Sequence, residues 1–237
     1  MRYDVWMTTP YAAFIKHQRE IWGLSQAEVA EHTNMSRPSY VAVEKGTKEL
    51  TLAEAEVIVQ LFGITLDELL STQVPNVLKY KQMLLAYLRE AKAAGKVLKK
   101  TKLAKLLYLA DFSWYYKNLE SMSGMTYRKI DFGPVPDTYF RLVEEMEQSG
   151  ELNIKQILRD DYHMYEIEET RASEKETLDQ LSPAELEHIK AVWEKWQDAN
   201  TQEIVRFTHG QEPYKYAFKG DIIPYELITQ EEPDRVY

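Results

Sequence analysis

The chain of 237 residues contains no cysteine. It therefore cannot form a disulfide, a thiolate metal site or a thiol nucleophile. Its nine glycines include no glycine-rich phosphate loop. The most apolar stretch, residues 103–116, is too short to span a bilayer and is broken by Lys105 and Asp111. Because the N-terminus also has no signal-peptide pattern, these absences predict a cytoplasmic protein that does not engage a membrane.

The sequence also has little that indicates catalysis. Its histidines are His17, His32, His163, His188 and His209. None pairs with another at a spacing of four with a glutamate between them, so the zinc-protease motif is absent. His209 alone has a suggestive context, and a structural histidine near Pro213 is the favoured interpretation. We therefore expect no enzyme activity, no catalytic residue, no metal and no cofactor.

Charge is distributed unevenly along a chain of net charge −9. Residues 1–74 hold six basic and ten acidic residues, and residues 75–117 hold ten basic and two acidic ones. A run of basic residues between 79 and 105 follows the first segment directly. It is interpreted as a solvated helix face, with a DNA backbone or an acidic partner protein as possible contacts. The run is Lys79, Lys81, Arg89, Lys92, Lys96, Lys99, Lys100, Lys102 and Lys105.

Residues 24–46 predict two short helices joined by a tight turn. Ser25 followed by Glu28 forms a capping-box pattern at the start of the first helix. Asn34 suits a left-handed position at the bend. Ser36 is placed to cap the second helix, with Pro38 in its first turn. This pattern predicts a helix-turn-helix, which presents its second helix to the major groove of duplex DNA.

These residues resemble the phage-repressor, or XRE-like, helix-turn-helix family over about residues 10–72. The resemblance implies a five-helix DNA-binding domain at residues 11–72, preceded by an N-terminal arm at residues 1–10. It also implies a structural ion pair between Arg19 and Glu44. Its implied DNA-binding residues are Ser25, Gln26, Ser36, Arg37, Pro38, Ser39, Ala42, Lys45, Thr47 and Lys48. A repressor-like fold that serves only for dimerisation is the alternative, since this segment lacks the usual excess of basic residues.

A second domain is expected at residues 78–237, after a linker at residues 73–77. Apolar spacing predicts helices from Val77 to Ala94 and from residue 102 to 111, the latter capped by Thr101. Residues 125–130 are predicted to be extended and to lead into a turn at Gly133-Pro134-Val135-Pro136, followed by a helix over residues 137–148. Residues 152–168 predict a β-hairpin that turns at Asp160-Asp161. Ser182 and Thr201 are expected to cap two later helices.

Three segments of this domain resemble the Panacea, or SocA-like, domain of toxin–antitoxin systems. They are residues 102–108, residues 132–135, and residues 201–209 followed by Glu212-Pro213-Tyr214. The resemblance implies a helical α+β domain that binds and neutralises a toxin. The fold class expected for the whole chain is thus mainly α with a small β-hairpin. Candidate toxin-binding residues are Lys102, Lys105, Tyr108, Asp111, Trp114, Gly133 and Pro134.

Together the two resemblances imply an antitoxin of a type II toxin–antitoxin pair that also represses its own operon. Its partners would be a cognate toxin and operator duplex DNA, with the chain acting as a homodimer. A solitary transcription regulator with a ligand-sensing second domain is one alternative. A protease adaptor is another.

Overall fold

A computed structural model describes residues 11–64, 66–70, 75–159 and 162–237. The chain divides into two compact units, one ending at Pro75 and the other beginning at Asn76. The predicted N-terminal arm and part of the predicted linker lie outside the described residues. The fold is mainly helical, as predicted, with two small antiparallel sheets in the second unit.

Over residues 11–64 and 66–70, the first unit is a bundle of five short helices. These are α1 (Tyr11–Ile21), α2 (Gln26–His32), α3 (Arg37–Glu44), α4 (Leu52–Phe62) and α5 (Leu66–Leu70). The predicted local signals are confirmed: Ser25 and Glu28 form a capping box at α2, and Ser36 accepts from the backbone at the start of α3. Asn34 adopts a left-handed conformation with φ 53° in the turn between them. The core of this unit includes Ile15, Val29 and Tyr40, all fully buried.

An ion pair joins α1 to α3 in this unit. Arg19 Nε donates to Glu44 Oε1 at 2.6 Å, and the Glu44 side chain is 3% exposed. Gln26 also donates to Glu44, at 2.8 Å. Burial opposes ionisation of Glu44, but the hydrogen bonds from Arg19 and Gln26 bring its pKa below the ordinary value. The pair that the resemblance implied is therefore present, and it fixes the angle of α3 against α1.

In its described residues, the second unit contains six α-helices and five strands. The helices are α6 (Val77–Ala93), α7 (Lys100–Asn118), α8 (Asp137–Gln148), α9 (Pro183–Trp196), α10 (Thr201–His209) and α11 (Glu212–Tyr216). The strands are β1 (Leu98–Lys99), β2 (Tyr127–Ile130), β3 (Gly133–Pro136), β4 (Leu152–Arg159) and β5 (Tyr162–Glu169). Short 3₁₀ helices follow at Ser173–Lys175, Tyr225–Gln230 and Pro233–Arg235.

Helix α7 is the centre of this unit. Thirteen of its nineteen residues are buried, and they lie on every face of the helix. A helix buried all round belongs to the interior of a domain rather than to its surface. Helices α6, α9 and α10, strand β3 and the 3₁₀ helix at Tyr225–Gln230 all pack against it.

Two sheets lie beside α7. The hairpin of β4 and β5 pairs from Leu152 opposite Glu169 to Arg159 opposite Tyr162, and β1 adds to the free edge of β5. The hairpin strands are confirmed, whereas the predicted turn at Asp160-Asp161 lies outside the described residues. The second sheet pairs β2 with β3, from Tyr127 opposite Pro136 to Ile130 opposite Gly133.

Three local predictions were wrong. The Gly-Pro-Val-Pro segment is strand β3 rather than only a turn. Its two prolines are tolerated because both strands of a two-stranded sheet are edge strands, where a missing N–H group costs little. Helix α7 begins at Lys100, so Thr101 lies inside it rather than capping it. Asn200, not Thr201, caps α10 by accepting from the backbone of Gln202 and Glu203. Within the described residues, the helices are all too short or too polar to cross a membrane.

The ion pair of the first unit generates a stability prediction. Glu44→Gln should destabilise α1–α4 by about 3 kcal/mol at neutral pH, because it leaves the Arg19 charge without its partner. Since the folded pKa of Glu44 is lowered, the loss should be complete at neutral pH and should shrink as pH falls through that pKa. The rate of hydrogen exchange in peptides from residues 11–64 measures this loss of stability at each pH.

The matched control is the double variant Arg19→Met, Glu44→Met. Because it removes both charges, it should be more stable than Glu44→Gln alone. Equal exchange rates in the wild type and in Glu44→Gln would show that the pair does not hold α1 to α3.

Candidate functional site

The exposed face of α3 carries the predicted base-reading residues. Arg37 and Pro38 are exposed at its first turn, and Ser39 and Ala42 are partly exposed. Tyr40 and Val43 are fully buried on the opposite face, so α3 is anchored by one side and open on the other. Within the described residues, Arg37 has no ion pair, and its guanidinium is available for a bidentate contact to guanine.

The predicted phosphate-contacting residues differ in whether their side chains already have partners within the domain. Ser25, Ser36, Lys45 and Thr47 are exposed at the ends of α2 and α3. The Gln26 side chain donates to Glu44, and Lys48 is paired with Glu54 at 2.8 Å. A contact from Lys48 to a phosphate would therefore exchange one anionic partner for another.

The predicted basic run is largely neutralised within its own unit. Five of its members face carboxylates contributed by residues 151–198: Lys79 with Glu185, Lys81 with Glu151 and Glu176, Arg89 with Glu169, Lys92 with Glu174, and Lys96 with Asp198. The prediction that this run is a free surface for DNA phosphates or an acidic partner is wrong for these residues. The acidic residues of the later sequence thus form ion pairs with the basic residues of this run within the same domain.

Three charged side chains of α7 point into the interior, and each meets partners from a distant segment. Lys102 donates to the backbone carbonyls of Gln197, at 3.1 Å, and Ala199, at 2.6 Å. These carbonyls lie in the connection between α9 and α10. Lys102 therefore fixes the entry into α10, and only 8% of it is exposed.

Lys105 lies one turn further along α7 and is fully buried. Its Nζ donates to the Pro134 carbonyl at 3.1 Å. Gly133 has φ +98°, and a Cβ built there would lie 2.6 Å from both Lys105 Nζ and His209 Nε2. Only glycine leaves room for these two nitrogens beside β3. His209 in turn stacks on Tyr214 with ring centroids 4.2 Å apart.

Asp111 is the third of these charged residues and is also fully buried. Its carboxylate accepts from the Ser123 backbone at 3.0 Å, and from the hydroxyls of Ser123, Tyr127 and Tyr225. Burial raises the pKa of Asp111, and these hydrogen bonds oppose the shift. Asp111 thereby holds β2 and the C-terminal 3₁₀ helix against α7.

These contacts correct the predicted toxin-binding set. Lys105, Tyr108 and Asp111 are fully buried, Lys102, Gly133 and Pro134 are buried, and Trp114 is half-buried. A protein docked on the surface of this conformation would not reach the fully buried ones. Lys102, Lys105 and Asp111 face inward because distant segments supply their hydrogen-bond partners.

A buried pair of residues resembling a nucleophile and a base was not predicted from the sequence. Ser113 Oγ lies 2.7 Å from His188 Nε2, and Lys117 approaches the other ring nitrogen at 3.3 Å. Ser113 is fully buried, and its hydroxyl also contacts the Leu109 carbonyl of its own helix. Burial and then Lys117 lower the pKa of His188 to about 4, so the ring is neutral at physiological pH. The pair is closed to substrate and ties α7 to α9.

Comparison with protein families gives two matches along the chain. A helix-turn-helix family matches residues 15–69, and the family described as antitoxin SocA-like, Panacea domain, matches residues 103–215. The chain is a fusion of an XRE-like helix-turn-helix domain with a SocA-like Panacea domain. No curated protein and no solved structure gave a significant match. The two domains make this an antitoxin-like protein with a DNA-binding module, and toxin and DNA are the general partners of such domains.

The surface of the Panacea domain exposes three large aromatic side chains on two neighbouring segments. Phe132 is 72% exposed at the turn between β2 and β3, and Tyr216 and Phe218 are 70% and 79% exposed at and just after the end of α11. The two segments are held together by an ion pair between Lys219 and Asp131 at 2.8 Å. We call Phe132, Tyr216 and Phe218 the aromatic surface. Within the described residues, no cluster of side chains has the composition of a metal site.

The environment of Asp111 generates a second stability prediction. Asp111→Asn should destabilise the Panacea domain by about 3 kcal/mol, because an amide cannot accept from all the donors that surround the carboxylate. Urea unfolding followed by the fluorescence of Trp114, Trp193 and Trp196 measures the change. Asp198→Asn, at an 86% exposed side chain, is the control and should be nearly neutral. A neutral Asp111→Asn would mean that Asp111 is protonated in the folded protein.

Proposed function

We propose that the chain is an antitoxin of a type II toxin–antitoxin pair. In this proposal the Panacea domain binds the cognate toxin and covers its active surface, and the helix-turn-helix domain represses the operon that encodes both proteins. The observation that carries the proposal is the fusion itself: the Panacea match at residues 103–215 follows, in the same chain, a helix-turn-helix match at residues 15–69 whose Arg37 and Pro38 are exposed. A protein that both neutralises a toxin and controls its synthesis needs these two parts.

The proposed toxin-binding surface is the aromatic surface rather than α7. Exposed large apolar side chains that lie together mark sites of protein association, and aromatic residues dominate the energetics of such interfaces. Phe132 also belongs to one of the three segments that carry the Panacea resemblance. Its neighbours Gly133 and Pro134 then act by fixing the turn that presents Phe132, while their own atoms stay inside.

The proposed operator complex is a homodimer on a palindrome. Two copies of α3 would enter successive major-groove faces about 34 Å apart, and Arg37 would read a guanine in each half-site. The modest number of basic residues in this domain implies modest affinity, which should fall with salt concentration in proportion to the number of phosphates contacted. Dimerisation raises the affinity by joining two weak half-site contacts.

Co-expression with the protein encoded by the adjacent gene tests the neutralisation proposal. The neighbour should arrest growth when expressed alone, and this chain should restore growth and co-purify with it. Phe218→Ser should weaken both effects, because it removes apolar area from the proposed interface without opening the core. The control is Leu119→Ser, a 67% exposed residue about 20 Å along α7 from Lys105. A harmless neighbour that never co-purifies would refute the proposal.

Arg37→Ala should separate the two functions. It should weaken operator binding about tenfold or more and leave growth rescue unchanged, because the contact to guanine is lost while the Panacea domain is untouched. Arg141→Ala removes an exposed arginine from the Panacea domain and is the charge-matched control. Fluorescence anisotropy with operator DNA at two salt concentrations gives the affinities. Loss of rescue in Arg37→Ala would contradict the division of roles.

A further inference from the structure

The Panacea domain contains a cleft of about 280 Å³ beside the start of α7. Its walls come from α7, β3, α8 and β5. The described lining residues are Lys100, Thr101, Ala104, Lys105, Phe132, Val135, Tyr139, Phe140, His163 and Tyr165. Four of them are aromatic rings of Phe or Tyr, three are basic, and none is acidic. Such a composition favours an apolar ligand that carries negative charge.

Lys105 has unused hydrogen-bonding capacity at this cleft. An ammonium group has three donors, and the described residues offer Lys105 one acceptor, the Pro134 carbonyl. Among the residues that the structure describes, His209 Nε2 is buried without a hydrogen-bond partner. The two nitrogens lie no more than about 5 Å apart, since both are 2.6 Å from the same position beside Gly133. Buried donors that lack partners cost free energy unless a ligand or water satisfies them.

The charge environment of Lys105 is also incomplete. The titratable groups around it are Lys100 on its own helix, Lys129 on β2, Tyr139 on α8, His163 and Tyr165 on β5, and His209 on α10. None supplies a carboxylate. Burial lowers the pKa of Lys105 to about 7, and burial, Lys105 and Lys129 lower the pKa of His209. An anion bound here would provide the missing counter-charge.

We propose that this cleft binds a small organic carboxylate with an aromatic body. The carboxylate would accept hydrogen bonds from Lys105, beside which His209 lies, and the ring would lie among Phe132, Tyr139 and Phe140. A carboxylate fits better than a phosphate dianion, because Lys105 offers only about two free donors for a buried charge. Lys102 does not offer this, because it already donates to two carbonyls and does not line the cleft. The proposal does not depend on toxin neutralisation.

Isothermal titration of the full-length protein tests the proposal. The probes are phenylacetate, 3-phenylpropionate and indole-3-acetate, with phenylacetamide as the uncharged match for the first. At least one acid should bind with Kd of about 1 mM or tighter, and the amide should bind at least tenfold more weakly than its acid. Lys105→Met should lose at least tenfold in affinity. Lys117→Met, at an exposed lysine of the same helix that does not line the cleft, is the control and should retain it.

A second measurement needs no variant, which keeps the test decisive if Lys105→Met does not fold. Titrations at pH 8 in buffers of different ionisation enthalpy should reveal uptake of close to one proton per bound acid, because the anion favours charged Lys105. Uptake should largely vanish at pH 6. Binding that is absent for every acid, unaffected by Lys105→Met, or without proton uptake would overturn the proposal. So would loss of neighbour-protein binding in Lys105→Met without binding of any acid, which would assign the cleft to the protein partner.

Discussion

The structure of the Panacea domain depends on the burial of helix α7 together with its polar side chains. A helix surrounded on all faces cannot leave Lys102, Lys105 or Asp111 without partners, because each unmatched group would cost free energy comparable to a large part of the stability of a domain. Each partner therefore arrives from a different segment: the α9–α10 connection, strand β3, and the residues around Ser123 and Tyr225. The segments that pack around α7 are thus also the segments that supply hydrogen-bond partners to its buried charged groups.

The buried residues around α7 and the exposed residues of the domain therefore have different roles. The segments that carry the Panacea resemblance supply Lys105, Gly133, Pro134 and His209, and these residues meet inside the fold. Lys102, from the same segment as Lys105, holds the α9–α10 connection. In the proposed function, partner recognition falls to side chains that this scaffold presents outward, such as Phe132 and Phe218. The helix-turn-helix domain follows the same logic on a smaller scale, since the Arg19–Glu44 pair fixes α3 and leaves Arg37 exposed.

Local signals predicted much of this architecture. The capping boxes at Ser25 and Ser182, the left-handed Asn34 and the β4–β5 strands follow from residue chemistry within a few positions of the chain. The interior of the candidate site could not be predicted in this way, because Lys105 and His209 are about a hundred residues apart in the chain and come together beside Gly133 of β3. The basic run was misinterpreted for the same reason. Its carboxylate partners follow it by some 70 to 106 residues, and charge counted along the chain does not reveal pairing across the fold.

Hydrogen exchange of the full-length protein, alone and with each partner, tests most directly whether the helix-turn-helix domain contacts DNA and the Panacea domain contacts the toxin. Operator DNA should slow exchange in α2 and α3, and the protein encoded by the adjacent gene should slow exchange around the β2–β3 turn and residues 216–220. Protection of α3 by the protein partner, with no change in the Panacea domain, would contradict the account.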